Sequence, residues 1–349
     1  MSHPINSEMP LASTADRRNV GDIAVFPIGF GCMNLSHGYG GQPSFEEACH
    51  LLNHVLDSGV TLLDTAALYG AGANEELLGR AVMHRRGEFM LASKCVLDHQ
   101  DGRRVLDGRP SSILASLDRS LRRLGTDCID LFYLHRIDRQ VPVEESVGAL
   151  VRAKEAGKIR AIGLSEVSAG TVARAHAVHP VTAVQNEYSP IARNPEVALL
   201  KTCRALEIAL IAFSPLGRGM LAGAMRGEGF GPYDIRRRMP RYNAPFVANN
   251  LAVAQRFTDL AREVGLAPAQ LALAWVLARG RDVVPIPGTT SRVHFDENVA
   301  AVSIDIDREA FERVDELFAA EPIQGARHAP DMRAEIDTEL LPGEDVRFS

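Results

Sequence analysis

The stretch IDLFYLHRIDRQVPVEESVGALVRAKEAGKIRAIGLS, residues 129–165, decides the fold. It begins and ends with short apolar runs, residues 129–135 and 159–165, whose branched and aromatic side chains predict buried strands. Between them, residues 143–157 have the apolar spacing of a helix and close on a glycine, a common helix end. A strand, a helix and a second strand in this order predict one unit of a parallel sheet.

The same alternation continues on both sides of this unit. Further strands are predicted over residues 28–33, 61–64, 89–94, 183–186, 208–214 and 283–287. Further helices are predicted over residues 44–59, 74–85, 111–125, 168–178, 195–206, 248–265, 268–280 and 292–302, with Ser44 and Ser111 at the starts of two of them. Eight such units in about 250 core residues predict a closed (β/α)8 TIM barrel, because an open doubly wound sheet usually has fewer strands.

Three segments are predicted around this barrel. Residues 20–27, VGDIAVFP, predict a hairpin that plugs the N-terminal end of the barrel. Residues 217–246 form a long loop after strand seven, and long loops of barrels usually serve the active site. The polar stretch from about residue 321 is either an ordered tail over the barrel mouth or a loose end. The whole chain, 1–349, is predicted to be a single barrel domain with a core of about residues 20–320.

Composition and charge exclude several classes of protein. With 46% hydrophobic and 23% charged residues among 349, the chain is not a disordered protein. A net charge of −6 leaves no cationic surface overall, so no nucleic-acid partner is predicted. Five scattered cysteines without a CxxC pair indicate reduced thiols, and no apolar run approaches the ~18 residues of a membrane span. We therefore expect a cytoplasmic protein without a membrane segment.

Four polar residues stand at the ends of successive predicted strands, where barrel enzymes carry their catalytic groups. Asp64 can hold Lys94 as an ammonium ion, and this ammonium favours the tyrosinate of Tyr69 and eases loss of its proton. His135 supplies a second donor to a carbonyl oxygen. Each residue alone has an ordinary explanation as a turn residue, a solvated charge or a packed side chain. Their common position at one mouth favours catalysis.

The order and spacing of Asp64, Tyr69, Lys94 and His135, which are 5, 25 and 41 residues apart, resemble the catalytic tetrad of the aldo-keto reductase superfamily. Other motifs appear in the family's order along most of the chain: LLDTAALYGAGANEELLG, LHRID, GKIRAIGLS, VQNEYS, AFSPLGRGML and PIPGTTS with EN downstream. The GCMN and GLSE motifs and the long loop after GRGML are similar to bacterial and plant members that act on aryl aldehydes.

The resemblance implies NADPH-dependent reduction of a small aldehyde or ketone to an alcohol, with Tyr69 as the acid. NADH is the alternative cofactor, and no metal is expected. Ser165 and Gln185 would bind the nicotinamide carboxamide, and Phe213 would stack on the ring. The remaining implied cofactor residues are Met33, Ser214, Leu216 and Gly217 at the pyrophosphate, Gly288, Thr289, Thr290, Ser291 and Arg292 at the 2′-phosphate, and Glu297 and Asn298 at the adenine, with no particular contact assigned to Met33.

Two residues depart from the family's pattern. Glu166 stands where most members have asparagine, and a carboxylate can only accept a hydrogen bond, which puts its role as a cofactor ligand in doubt. Arg292 is the only cation after the proline–glycine turn and lies slightly later than usual. Because a 2′-phosphate needs a cationic partner, NADPH is favoured over NADH.

Three other interpretations are open to test. The same fold also supplies cofactor-sensing regulatory subunits, in which the tetrad persists with little turnover. Asp64 with Glu187 could form the carboxylate pair of a barrel glycosidase, but that chemistry requires neither Lys94 nor Tyr69. The basic run at 236–238 could attract an anionic group, clamp the cofactor or simply be solvated. The sequence specifies neither the individual substrate nor the oligomeric state.

Overall fold

The computed structural model describes residues 17–100, 103–223, 225, 230–333, 335–341 and 344, and strands alternate with helices through most of this range. Residues 1–16 and parts of the predicted loop 217–246 and tail lie outside it. The strands are β1 Arg18–Val20, β2 Ile23–Val25, β3 Phe30–Gly31, β4 Leu62–Asp64, β5 Met90–Cys95, β6 Leu97–Gln100, β7 Arg103–Leu106, β8 Ile129–Leu134, β9 Ile159–Ser165, β10 Ala183–Glu187, β11 Ala209–Phe213 and β12 Val283–Pro285.

The helices lie between the strands of the wall and after the last one. They are α1 Phe45–Asp57, α2 Ala73–Ala81, α3 Pro110–Leu124, α4 Val143–Glu155, α5 Ala169–Val178, α6 Leu199–Ala205, α7 Val247–Glu263, α8 Pro268–Leu277, α9 Arg292–Ala300, α10 Arg308–Ala320 and α11 Pro330–Arg333. In the described part of the chain, no single helix is long and apolar enough to cross a membrane. Only α7 and α8 taken together, bent by 86°, reach that length and composition.

Eight parallel strands form the wall in the order β3-β4-β5-β8-β9-β10-β11-β12. Backbone hydrogen bonds close the ring between its first and last strands: Gly29 donates to the carbonyl of Pro285 (2.9 Å) and Gly31 to that of Pro287 (3.1 Å). Strands such as β5 and β8 are buried on both faces, which explains their nearly continuous apolar sequences. The predicted (β/α)8 barrel is confirmed.

The N-terminal hairpin of β1 and β2 packs on the inward-facing side chains of the wall, as predicted. Val20 and Val25 share one apolar cluster with residues such as Leu62 and Leu131. Arg18 fixes the hairpin to the last part of the barrel, because its guanidinium donates to the carbonyl oxygens of Leu277 and Gly280, both at 2.7 Å. These carbonyls lie at and just after the end of α8, where helices leave acceptors unpaired.

Several predicted boundaries were wrong for local reasons. The strand predicted over 28–33 is short because Cys32–Leu35 turns into a 3-10 helix. The helix predicted over 111–125 starts one residue earlier, since Pro110 occupies its first turn, and Ser111 is not its cap. The helix predicted over 195–206 is split into the 3-10 turn Asn194–Glu196 and α6.

The hairpin β6–β7 and the helices α10 and α11 were not predicted. The hairpin β6–β7 carries polar, partly exposed residues that lack a strand's apolar alternation. In contrast, α10 had a readable signal: Ala310, Val314 and Phe318 are buried at four-residue spacing, and Asp307 caps the helix. The described part of the C-terminal tail is ordered and lies over the barrel mouth, where His328 and Met332 line the central cavity.

The contact between α2 and α3 gives a stability prediction. A methyl group on Gly79, inside α2, would collide with the backbone carbonyl of Arg123, whereas one on Gly148, inside α4, would meet only the end of Arg152 at 4.0 Å. We expect Gly79→Ala to destabilise the protein by about 1–3 kcal/mol. Gly148→Ala is the matched control, and its higher helix propensity should stabilise by about 0.5–1 kcal/mol. Urea unfolding of both variants measures the difference; equal effects would contradict the close packing.

Candidate active site

The strand period of two aims several polar side chains into the barrel mouth. In β5, Met90 and Ala92 belong to the inner apolar cluster, and Lys94 is the next residue on the same face. In β4, Leu62 belongs to the same inner cluster, and Asp64, two residues later, is the next side chain on that face. Register brings the neighbouring inner positions together, with Gln185 of β10 opposite Ser165 of β9. The side chains that end these strands therefore converge on one centre.

Lys94 is the hub of this centre and is fully buried. Its ammonium donates to Asp64 Oδ1 (2.5 Å), to the carbonyl oxygen of Thr65 (2.8 Å) and to the hydroxyl of Tyr69 (3.3 Å). The second carboxylate oxygen of Asp64 accepts from the side-chain amide of Gln185 at 2.7 Å. All three donors of the ammonium are used, which fixes both its position and the tyrosine hydroxyl beside it.

Tyr69 stands between two histidines at the cavity wall. Its ring is stacked on His37 with centroids 5.8 Å apart, and it meets His135 edge-on, also at 5.8 Å. It opens a tight turn, Tyr69–Gly72, in which Gly70 and Gly72 both have positive φ. Ala71 between them also has positive φ, so conformation alone does not require glycine; at Gly72 the reason is space, because a Cβ there would lie 2.5 Å from the side chain of Arg123.

Burial dominates the protonation states of the centre. It raises the pKa of Tyr69, and the ammonium of Lys94 opposes this rise without cancelling it. Burial lowers the pKa of Lys94, but Asp64 and Tyr69 outweigh it and raise that pKa above its usual value. Burial, reinforced by the charge of Arg136, lowers the pKa of His135 well below its usual value. At neutral pH the centre therefore holds a phenol, an ammonium and a neutral imidazole; Lys94 does lower the pKa of Tyr69 as expected, but burial outweighs this effect.

A cavity of about 500 Å³ opens above this centre. Asp64, Tyr69 and His135 line it, whereas Lys94 lies behind them. Most of the predicted cofactor residues also line it: Met33, Ser165, Gln185, Phe213, Ser214, Leu216, Gly288, Thr289, Thr290, Glu297 and Asn298. The hydroxyl of Ser165 forms no hydrogen bond with the described residues, although it is almost fully buried, so it is available to a ligand.

Three predicted cofactor residues do not line the cavity. Gly217 is buried behind it. Ser291 caps α9 by accepting from the backbone N–H of His294. The side chain of Arg292 is 70% exposed and lies 3.9 Å from Asp296. Their roles in cofactor binding remain predictions.

The cavity wall brings the backbones of the first and last strands unusually close. A Cβ on Gly31 would lie 2.8 Å from the carbonyl oxygen of Ile286, and one on Gly288 would lie 2.6 Å from the carbonyl oxygen of Gly31. Asn34 holds the same point by donating to the carbonyl of Gly288 at 3.1 Å. Only glycines fit this seam, because a Cβ at either position would enter the backbone of the opposite segment.

Glu166 is not a cavity residue; it binds the C-terminal tail. Its Oε1 accepts from the backbone N–H of Glu187 (2.9 Å), and its Oε2 lies 3.3 Å from His328 Nε2 and 3.5 Å from Arg327 Nη1. Arg327 also contacts the carboxylate of Glu187 at 3.1 Å. The departure at position 166 thus serves to hold the tail across the mouth. Glu187 does not line the cavity within the described residues, which removes the carboxylate pair of the glycosidase interpretation.

Several cavity residues were not predicted from the sequence: His37, Arg104, Arg136, Arg218 and His328. Arg136 lies inside the LHRID motif, directly after His135, so its place beside the site could have been predicted from the sequence. Of the basic run at 236–238, Arg236 lines the cavity, and its guanidinium pairs with Asp234 at 2.6 Å. The other missed residues come from the segment before α1, from β7, from the 3-10 turn after β11 and from the tail, whose placement depends on contacts far away in sequence.

A closed (β/α)8 barrel whose mouth holds a tyrosine beside a buried ammonium defines a class of barrel enzyme equipped for proton transfer. The model of the Aldo/keto reductase family matches residues 27–319, and the chain belongs to this family. The protein named aldo-keto reductase yakc, NADP(+), of Schizosaccharomyces pombe is 42% identical over 336 residues, which cover 93% of this chain and 98% of that protein.

Solved structures agree with this assignment. The glycerol dehydrogenase AKR11B4 from Gluconobacter oxydans has a TM-score of 0.79 and 27% identity, covering 88% of this chain and 96% of that one. An aldo/keto reductase from Klebsiella pneumoniae, in complex with NADP and acetate, has a TM-score of 0.67 and 26% identity, covering 87% and 95%. The predicted family, fold and oxidoreductase class are confirmed.

The buried ion pair gives a prediction that separates charge from shape. Lys94→Met should destabilise the protein by about 3–5 kcal/mol, because it leaves the carboxylate of Asp64 buried without a counter-ion. The double variant Lys94→Met/Asp64→Asn removes that charge and should recover part of the loss. Urea unfolding measures both. A double variant as unstable as the single one would show that packing, not the unpaired carboxylate, sets the cost.

Proposed function

We propose that this chain catalyses NADPH-dependent reduction of an aldehyde or ketone to an alcohol, with Tyr69 as the acid. The observation that carries the proposal is the position of the Tyr69 hydroxyl, 3.3 Å from the ammonium of Lys94 and on the wall of the cavity beside His135. The family supports carbonyl reduction in general. The identity of the acid and the roles of the neighbouring residues are our own inference.

The cavity suits a nicotinamide dinucleotide. The Ser165 hydroxyl, which has no hydrogen-bond partner among the described residues, and the Gln185 amide would hold the carboxamide, and Phe213 would lie against the ring. The glycine seam at Gly31 and Gly288 would let the cofactor's extended part approach the backbone, towards the donors at the start of α9. NADP appears in the names of the Schizosaccharomyces relative and the Klebsiella structure, which favours NADPH over NADH. When bound, NADPH supplies the hydride that reduces the carbonyl carbon.

Side chains of the protein bind and protonate the carbonyl oxygen of the substrate. The phenol of Tyr69 donates its proton as negative charge develops on that oxygen, and the ammonium of Lys94 stabilises the tyrosinate that is left. Asp64 keeps Lys94 in place and charged. His135, as a neutral imidazole, donates a second hydrogen bond to the same oxygen. Burial keeps water away from these groups and strengthens their interactions.

Replacement of the phenol tests the acid directly. Tyr69→Phe should reduce kcat by at least about a hundredfold, because the hydroxyl that protonates the product is lost, while NADPH binding stays close to that of the parent. Turnover is followed by NADPH absorbance with a panel of aromatic, aliphatic and sugar carbonyls, and binding by fluorescence titration. Parental turnover in the variant would reject Tyr69 as the acid. Binding without turnover in the parent protein would instead favour the cofactor-sensing subunit.

The shifted pKa values predict a flat pH profile for reduction. Because the pKa of Tyr69 is raised above 10.0, the phenol keeps its proton through neutrality. Because the pKa of His135 lies well below 6.5, the imidazole is already neutral. We expect kcat/KM for an uncharged carbonyl to change little between about pH 6 and about pH 8. A loss of activity on raising the pH through this range that disappears in His135→Asn would show that the imidazolium is the active form.

A further inference from the structure

Arginine side chains on the cavity wall differ in whether a carboxylate of the protein neutralises them. In the described part of the chain, four arginines line the cavity: Arg104, Arg136, Arg218 and Arg236. Three of them form ion pairs: Arg104 with Glu335, Arg218 with Glu187 at 3.7 Å and Arg236 with Asp234 at 2.6 Å. For Arg136, none of the described carboxylates lies within ion-pair distance, although the charges of Glu166 and Glu335 are near enough to oppose the lowering of its pKa by burial.

Arg136 is only 8% exposed, so water solvates little of its charge. One of its five N–H donors is directed to the carbonyl oxygen of its neighbour His135, with Nη1 at 2.7 Å from that oxygen. The others have no hydrogen-bond partner among the residues that the structure describes. A guanidinium buried in this way destabilises the protein unless an anion pairs with its charge and accepts its free hydrogen bonds. The exposed remainder of Arg136 faces the cavity, so the missing partner would come from a ligand.

The position of Arg136 is next to the reacting centre. It follows His135 directly at the end of β8, and its charge is close enough to both Tyr69 and His135 to shift their pKa values. On the cavity wall it is therefore a neighbour of the two side chains that would contact the carbonyl oxygen. A group that binds Arg136 would belong to the substrate, near its carbonyl carbon, whereas the residues suited to the cofactor lie on β9 to β11, after β12 and on α9.

We propose that Arg136 binds a carboxylate of the substrate, so that the preferred substrates are aldehydes or ketones that carry a carboxylate close to the carbonyl group. The planar fork of a guanidinium matches the two oxygens of a carboxylate. One unpaired positive charge balances one negative charge, which fits a carboxylate better than a phosphate dianion. This inference rests on the proposed function, because it names the substrate class of the same site.

The test compares acids with their uncharged esters. We would measure kcat/KM for the isomeric carboxybenzaldehydes and for their methyl esters with the full chain and NADPH. In the parent protein, at least one acid should exceed its ester by about tenfold or more, the value of a charge-assisted hydrogen bond. The acid-to-ester ratio should fall to about one in Arg136→Met. Arg136→Lys, which keeps the charge but not the planar fork, should retain part of the preference.

The matched control is Arg122→Met, which makes the same charge change at an exposed position of α3 and should keep the parental ratio. Binding of benzoate, followed by calorimetry, gives a readout that does not require turnover. We expect the benzoate Kd to rise about tenfold or more in Arg136→Met and not in Arg122→Met. Circular dichroism establishes that each variant is folded, and Arg136→Gln replaces Arg136→Met if the latter is not.

The possible outcomes distinguish a failure of the carboxylate site from a failure of the proposed carbonyl reduction. If the parent protein reduces esters and acids equally well, carbonyl reduction stands and the carboxylate site is wrong. If no carbonyl is reduced at all, the proposed function fails, and benzoate binding alone decides the site: binding that depends on Arg136 supports it. Binding that is equal in Arg136→Met overturns it, as does a preference for acids that Arg122→Met loses to the same extent.

Discussion

The buried ammonium of Lys94 is the interaction on which the rest of the site depends. A fully buried cation is tolerated only when its donors are satisfied, and here a carboxylate, a backbone carbonyl and a phenol satisfy them. The same contacts fix the Tyr69 hydroxyl on the cavity wall. Because the charge of Asp64 cancels that of Lys94, the pair can stand in the barrel without destabilising it as a lone charge would. The proposed proton transfer and the stability of the barrel therefore both depend on Asp64, Tyr69 and Lys94.

The mouth of the barrel is completed by elements remote in sequence, and electrostatics again holds them. Glu166 and Glu187, at the ends of neighbouring strands, pair with Arg327 and bring His328 to the cavity. Burial lowers the pKa of His328 to about 4, so this imidazole stays neutral beside the carboxylates at neutral pH. The two described tail residues that line the cavity, His328 and Met332, are thus uncharged, and most of the other charges on its wall are paired. Arg136 stands out against that background as the cation left for a ligand.

Much of this arrangement could be predicted from the sequence because it follows local rules. Strand periodicity and the barrel's geometry are enough to bring Asp64, Lys94 and His135 to one end, and Tyr69 follows five residues after Asp64. The ends of elements were less predictable, since Pro110 and the 3-10 turn after Gly31 depend on individual residues. Contacts across the chain could not be predicted: Glu166 was recognised as unusual, but its partner Arg327 lies 161 residues later. Likewise, no local pattern shows that Glu335 neutralises Arg104 and leaves Arg136 unpaired.

The most direct measurement is the fate of the hydrogen on C4 of the cofactor. NADPH deuterated at the transferred position would be incubated with the protein and an aromatic aldehyde, and the product analysed by mass spectrometry. We expect an alcohol with one deuterium on the former carbonyl carbon, formed in step with NADP⁺. Tight binding of the labelled cofactor with no deuterium in any product, across the whole range of carbonyls, would contradict it and identify a protein that senses the cofactor without using it.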